Sequence, residues 1–182
     1  MSKYSGSKYH RLVTMRDTLE QTLAGWRRER PDLDLDAMAT TLRLSQLMNI
    51  ALKGIDGVLE AHGITLGEFD VLAALRRNGD GAALSPTTLA RVAMVSPAGM
   101  TNRLNRLEGA ALIVRRPDPG DRRASLVELT AAGRSVADRA VTDLVGAENE
   151  QIAVLSAADR RALDRILDVL IASLERADTN GD

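Results

Sequence analysis

Residues 85–129, SPTTLARVAMVSPAGMTNRLNRLEGAALIVRRPDPGDRRASLVEL, carry two helix starts in quick succession. Ser85 suits an N-cap, and Pro86 sits at the first helical position, where its missing N–H is no loss. This pattern predicts a short helix to about Ala93 and a turn at Met94–Val95. Ser96–Pro97 repeat the start signal, and a second helix runs to about Glu108. Two helices joined by so short a turn form a helix-turn-helix, whose second helix enters the DNA major groove.

The second helix has two faces. Met100, Leu104 and Leu107 recur at helical spacing and point inward. Ser96 opens the helix, and Ala98, Gly99, Thr101, Asn102, Asn105 and Arg106 lie mostly on the other side. Small residues there admit a close backbone approach, and Thr, Asn and Arg reach base edges or phosphates. A solvated helix face would also be polar, so the strands and charges C-terminal to this helix must decide between the two.

Leu112–Arg116 and Ala124–Leu129 read as two strands around the turn-rich PDPGDRR. A ribbon tipped by Arg122 and Arg123 suits insertion into a minor groove, where the negative potential is strongest. Asp121 is better placed to bracket an arginine than to touch DNA. The whole chain is near neutral, with 24 Lys+Arg against 25 Asp+Glu. Pro86 to Arg123, by contrast, holds seven arginines and three acids, a net +4. A local basic footprint on a neutral chain is what a double-stranded DNA partner requires.

This stretch resembles the winged helix-turn-helix of the MarR family of transcription regulators. The Asp121-to-Arg123 element and the Leu129-Thr130-x-x-Gly133 run match its wing and wing exit, and the likeness extends from about Leu35 to Leu174. It implies a mainly α fold with a small β-wing and N- and C-terminal dimerisation helices. It also implies a homodimer on a pseudo-palindromic site, released by a small ligand or by oxidation.

The surrounding chain divides accordingly. Residues 1–34 form an N-terminal extension, with a polar start and an amphipathic helix from about His10 to Arg30 (Leu12, Met15, Leu19, Leu23, Trp26). An acidic linker leads out of it, with Asp36 as the expected cap. Residues 35–64 and 130–176 supply the dimerisation helices, residues 65–129 the DNA-binding lobe, and residues 177–182 a disordered tail. The first dimerisation helix carries Leu44, Leu47, Ile50, Ile55, Val58 and Leu59 as its stripe and stops at Gly63. Thr65 and Glu68 form a capping box for the next helix, Thr130 caps another, and Ser156 with Asp159 opens the last. Leu163, Ile166, Leu167, Leu170, Ile171 and Leu174 give that last helix a wide apolar face suited to a partner chain.

The sequence has no cysteine, which removes disulfides and thiol redox sensing. Its two histidines, His10 and His62, have no metal-ligand spacing, and no nucleophile or phosphate-cradling motif appears. We therefore expect no enzyme activity, no cofactor and no metal. No apolar run approaches the roughly 20 residues that span a bilayer. With a polar N-terminus, the expectation is a cytoplasmic protein without membrane attachment.

Within the MarR family, the chain resembles the urate-responsive branch with an added N-terminal helix. The matching residues are Trp26 in the added helix, Asp70 in GEFD, Arg103 in TNR and, at the start of the wing, Arg115, the first arginine of VRR. The resemblance implies that these four bind a small anionic aromatic ligand. The chemistry agrees: urate is a flat anion, indole stacks, and guanidinium pairs bidentately with it. Each residue also has a plainer role open to it. Trp26 suits packing, Asp70 with an arginine suits a structural ion pair, and Arg103 suits a phosphate contact. Two alternatives stay open, a regulator answering another phenolic or aromatic acid and a dimeric interaction module without DNA binding.

Overall fold

The computed structural model describes residues 15–81, 83–121 and 124–179. The elements in order are α1 (Met15–Glu29), α2 (Asp36–Glu60), α3 (Leu66–Arg77), β1 (Ala83–Leu84), α4 (Pro86–Val92), α5 (Pro97–Gly109), β2 (Ile113–Pro117), β3 (Ser125–Leu129), α6 (Ala131–Ile152) and α7 (Ala157–Thr179). The chain divides into two units, Met1–Lys53 and Gly54–Asp182, with the boundary inside α2. Among the described residues, no helix is long and apolar enough to cross a membrane, and no group of three or more His, Asp or Glu could hold a metal ion.

In the first unit, Leu19 and Leu23 of α1 pack with Leu35, Ala39 and Leu42. The α1–α2 connection turns on Arg30, which forks onto Asp32 with Nε–Oδ1 2.8 Å and Nη2–Oδ2 2.7 Å. The Arg30 guanidinium holds the Asp32 carboxyl below its usual range. The carboxylate at the start of α2 is not Asp36 as expected. Asp34 Oδ1 accepts from Asp36 N at 3.0 Å, and Asp36 already belongs to the first turn. Of the expected α2 stripe, Leu47 and Ile50 stay exposed.

The core of the second unit gathers Leu59, Ile64, Phe69, Val71, Leu72, Leu75, Leu89, Met100, Leu104, Leu107, Ile113, Val127 and Ala140. The predicted inner face of the second helix, Met100, Leu104 and Leu107, is buried as expected. The sheet is antiparallel with order β1-β3-β2. β2 and β3 pair from Ile113↔Leu129 to Pro117↔Ser125. β1 adds Ala83↔Glu128 and Leu84↔Val127. The ribbon expected from sequence therefore has a third strand, too short at two residues to show any alternation.

Three helix ends share one device. After α2, α4 and α5, the residues Gly63, Met94 and Ala111 take φ of 71°, 48° and 56°. Each donates its N–H three residues back, and the next residue donates five back: Ile64 to Leu59, Val95 to Ala90 and Leu112 to Leu107. These are Schellman closures, usually built on glycine. The α4–α5 closure makes the sharp turn of the helix-turn-helix. Thr130 then fastens the sheet to α6. Its Oγ1 accepts from Gly133 N at 2.9 Å and donates toward the carbonyls of Ala111 and Leu112.

α7 leaves Ile166, Leu167, Val169, Leu170, Ile171 and Leu174 exposed in the single chain. It runs to Thr179, so residues 177–179 of the expected tail are helical, and residues 180–182 lie outside the described residues.

Candidate nucleic-acid interface

The interface grows from the capping chemistry of α5. Ser96 Oγ accepts from Gly99 N at 3.2 Å, so this hydroxyl is engaged in starting the helix. Thr101 Oγ1 donates to Pro97 O at 2.9 Å. No acidic side chain occupies the first turn, so the positive end of the helix dipole there suits a phosphate. Ser96, Ala98, Thr101, Asn102, Asn105 and Arg106 are all exposed, and Gly99 is half-buried. The predicted reading face is thus the outer face of α5, opposite its buried leucines. Arg122 and Arg123 of the wing lie outside the described residues.

Four arginines near this face pair with carboxylates on neighbouring elements. Arg106 Nε lies 3.0 Å from Glu68 Oε1, joining the end of α5 to the start of α3. Arg103 Nη1 lies 3.8 Å from Asp70 Oδ2, also across α5 and α3. Arg115 of β2 has its Nε 3.2 Å from Glu108 Oε2, and its Nη2 donates to Asn105 Oδ1 at 2.5 Å. Arg116 Nε lies 3.1 Å from Glu128 Oε2 across the β2–β3 pair. Wing and recognition helix are therefore tied by Arg115. Asn105 is exposed, with its Oδ1 bonded to Arg115.

The Asp70–Arg103 pair is the loosest of these. The Arg103 guanidinium lies over Gly67 of α3, where an added Cβ would sit 2.6 Å from Cζ. Nη1 is buried with no hydrogen-bond partner. Burial pushes the Asp70 carboxyl above its ordinary value, with Arg103 and then Arg77 opposing. An arginine that meets its carboxylate only at long range, with a donor left unused, can accept a further anion.

Of the four residues assigned to a ligand, Asp70 and Arg103 come together, and Arg115 turns to Asn105 and Glu108. Trp26 is half-exposed on α1 in the first unit, whereas the other three belong to the second. His62 Nε2 meets Asp143 Oδ2 at 2.8 Å. Sequence reasoning used Glu68 only as a cap and passed over Glu108. Neither pairing leaves a spacing signal, because each partner sits on another element.

A MarR family model matches residues 62–124. The chain is 33% identical over 157 residues to the HTH-type transcriptional regulator PecS of Dickeya dadantii, covering 86% of this chain and 92% of that protein. The fold is that of a mutant MarR of Escherichia coli complexed with operator DNA, with TM-score 0.63, 24% identity, and 80% and 96% of the two chains covered. It is also similar to Bordetella bronchiseptica BpsR, whose DNA binding is regulated by 6-hydroxynicotinic acid, with TM-score 0.61, 25% identity, and 70% and 89% covered.

Proposed function

Because the chain belongs to the MarR family of DNA-binding transcription regulators, we propose that it is a homodimeric repressor released from a pseudo-palindromic operator by a small anionic aromatic ligand, urate first among them. This is a family of regulators, not of enzymes. The reader is the outer face of α5 (Ser96, Ala98, Gly99, Thr101, Asn102, Asn105, Arg106) with Arg122 and Arg123 on the wing. The residues 35–64 and 130–176 make the dimer. The exposed apolar face of α7 supports this, since a single chain leaves it uncovered. A two-fold dimer sets two recognition helices about one DNA turn apart.

The observation that carries the ligand reading is the loose Asp70–Arg103 pair with its unused Nη1 donor. A bound anion competes with Asp70 for Arg103, and Arg115 and Trp26 are the further ligand residues of this reading. Because Arg103 belongs to the recognition helix, filling the site shifts that helix. DNA and ligand then favour different conformers and weaken each other's binding reciprocally. The regulation of BpsR by 6-hydroxynicotinic acid favours a second reading, an aromatic carboxylic acid bound by the arginines with Trp26 merely structural.

A gel-shift on the DNA upstream of this protein's own gene, titrated with urate and in parallel with salicylate, tests both. Release by urate alone supports the four-residue site. Release by salicylate alone, unaffected by Trp26→Ala, supports the second reading. Tight, salt-sensitive binding that neither compound disturbs overturns both ligand assignments and leaves the DNA reader standing.

A further inference from the structure

We propose that Glu68 is a positioning residue for DNA recognition, aiming Arg106 of α5 at the DNA backbone from a carboxylate anchored in the Thr65 capping box. This role rests on the regulator reading and belongs to a residue that does not itself meet DNA.

Among the described residues, Glu68 is the one charged side chain in the buried set, at 5% exposure. Its Oε2 accepts from Thr65 N at 2.8 Å and Thr65 Oγ1 at 2.9 Å, while Thr65 Oγ1 accepts from Glu68 N at 3.3 Å. That ring fixes the carboxylate at the start of α3. A capping box also forms with a neutral Gln at this position, and it uses only one carboxylate oxygen, Oε2. The second oxygen is therefore not accounted for by the cap. It meets Arg106, whose Nε lies 3.0 Å from Oε1.

The geometry on the arginine side is asymmetric. The Arg106 side chain is 67% exposed although it pairs with a buried carboxylate. Guanidinium is a rigid planar fork, so an ion pair at Nε narrows the directions its two terminal amino groups can take. On α5, Arg106 lies one turn beyond Asn102 and next to Asn105, at the edge of the exposed stripe. A buried carboxylate left without its partner is strongly disfavoured, so the pair persists when DNA arrives. This contrasts with Asp70–Arg103, where the separation is 3.8 Å and the carboxylate is more exposed. Glu68 holds one end of α5 firmly while Asp70 holds the preceding turn loosely.

The test compares wild type with Glu68→Gln, Arg106→Ala and the double variant on the upstream duplex, with affinity measured across a salt series. Arg106→Ala is expected to weaken binding by about tenfold or more and to reduce the salt slope by about 1.8, about 0.9 for the phosphate contact of each protomer in the homodimer. Glu68→Gln, which keeps the capping box, should lower affinity to within about threefold of Arg106→Ala, and the double variant should be no weaker than Arg106→Ala. A purely structural strut would move the unfolding midpoint and leave the salt slope alone. Wild-type affinity in folded Glu68→Gln, or losses that add fully in the double variant, would overturn the proposal. If Glu68→Gln fails to fold, the largely exposed Arg106→Gln decides, and an unchanged slope in it also overturns the proposal. A wild type that retards no DNA at low salt instead removes the regulator reading itself.

Discussion

Arg103 on α5 reaches back to Asp70 on α3 at 3.8 Å, and burial still leaves the Asp70 carboxyl with a raised proton affinity. The unfolded chain loses this proton near the ordinary value of 3.8, whereas the folded chain keeps it to higher pH. The native state thus binds more protons across that window, and stability falls as pH rises through it. Asp70→Asn should flatten this part of the pH–stability profile and leave the protein more stable at neutral pH. Urea unfolding of both proteins from below 3.8 up to neutrality measures it. Equal slopes would mean that Arg103 fully offsets the burial of Asp70.

Gly133 is required by contact. A Cβ there would collide with the carbonyl of Leu112, which is backbone and cannot swing aside. The same carbonyl accepts from Thr130 N at 3.1 Å, so moving it breaks the joint between β2 and α6. Gly133→Ala should therefore destabilise the protein by at least about 3 kcal/mol, in the overpacking range or above it. Chemical denaturation reads this directly, and a loss under about 1 kcal/mol, an ordinary value for a point substitution, would show that the joint yields.

Ala111 and Met94 occupy left-handed positions that carry a steric cost for any residue with a Cβ. Ala111→Gly relieves that cost but frees the unfolded chain, and the net expectation is a gain of about 0.5–1 kcal/mol. For a chain of this size that is a rise in thermal midpoint of roughly 1–4 °C. The usual Ala-to-Gly change inside a helix has the opposite sign, so a lower midpoint would contradict the assignment.

Much of this lobe is legible in the sequence because its signals are local. Ser85-Pro86 and Ser96-Pro97 mark helix starts, Thr65 and Glu68 a cap, and Met100, Leu104 and Leu107 a buried face, all within a few residues of one another. β1 is not legible, since two residues show no period and gain their strand character only from β3. Nor is the choice of Asp34 over Asp36, which depends on how the acidic linker bends. The arginine–carboxylate pairs are the larger omission. Arg106 and Asn105 read as free DNA contacts in sequence, yet their partners, Glu68 and Arg115, come from α3 and β2. Such pairings follow from packing across elements, which helical spacing does not encode.

The wing makes the most direct claim on DNA. β2 and β3 stay paired out to Pro117↔Ser125, and Asp118 N donates to Ala124 O at 3.1 Å, so the ribbon is held up to its turn. Arg122 and Arg123 come directly after Asp121 in the chain. Arg122→Ala and Arg123→Ala should each weaken binding to the upstream duplex, by about 1–3 kcal/mol for an arginine that reads a base edge. An arginine that meets only phosphate should instead lower affinity evenly across sequences and reduce the salt slope by about 1.8, about 0.9 for each protomer of the homodimer. The two cases separate by repeating the salt series on an unrelated duplex of equal length. Unchanged affinity in both single variants and the double variant would remove the wing from the interface and leave recognition to α5.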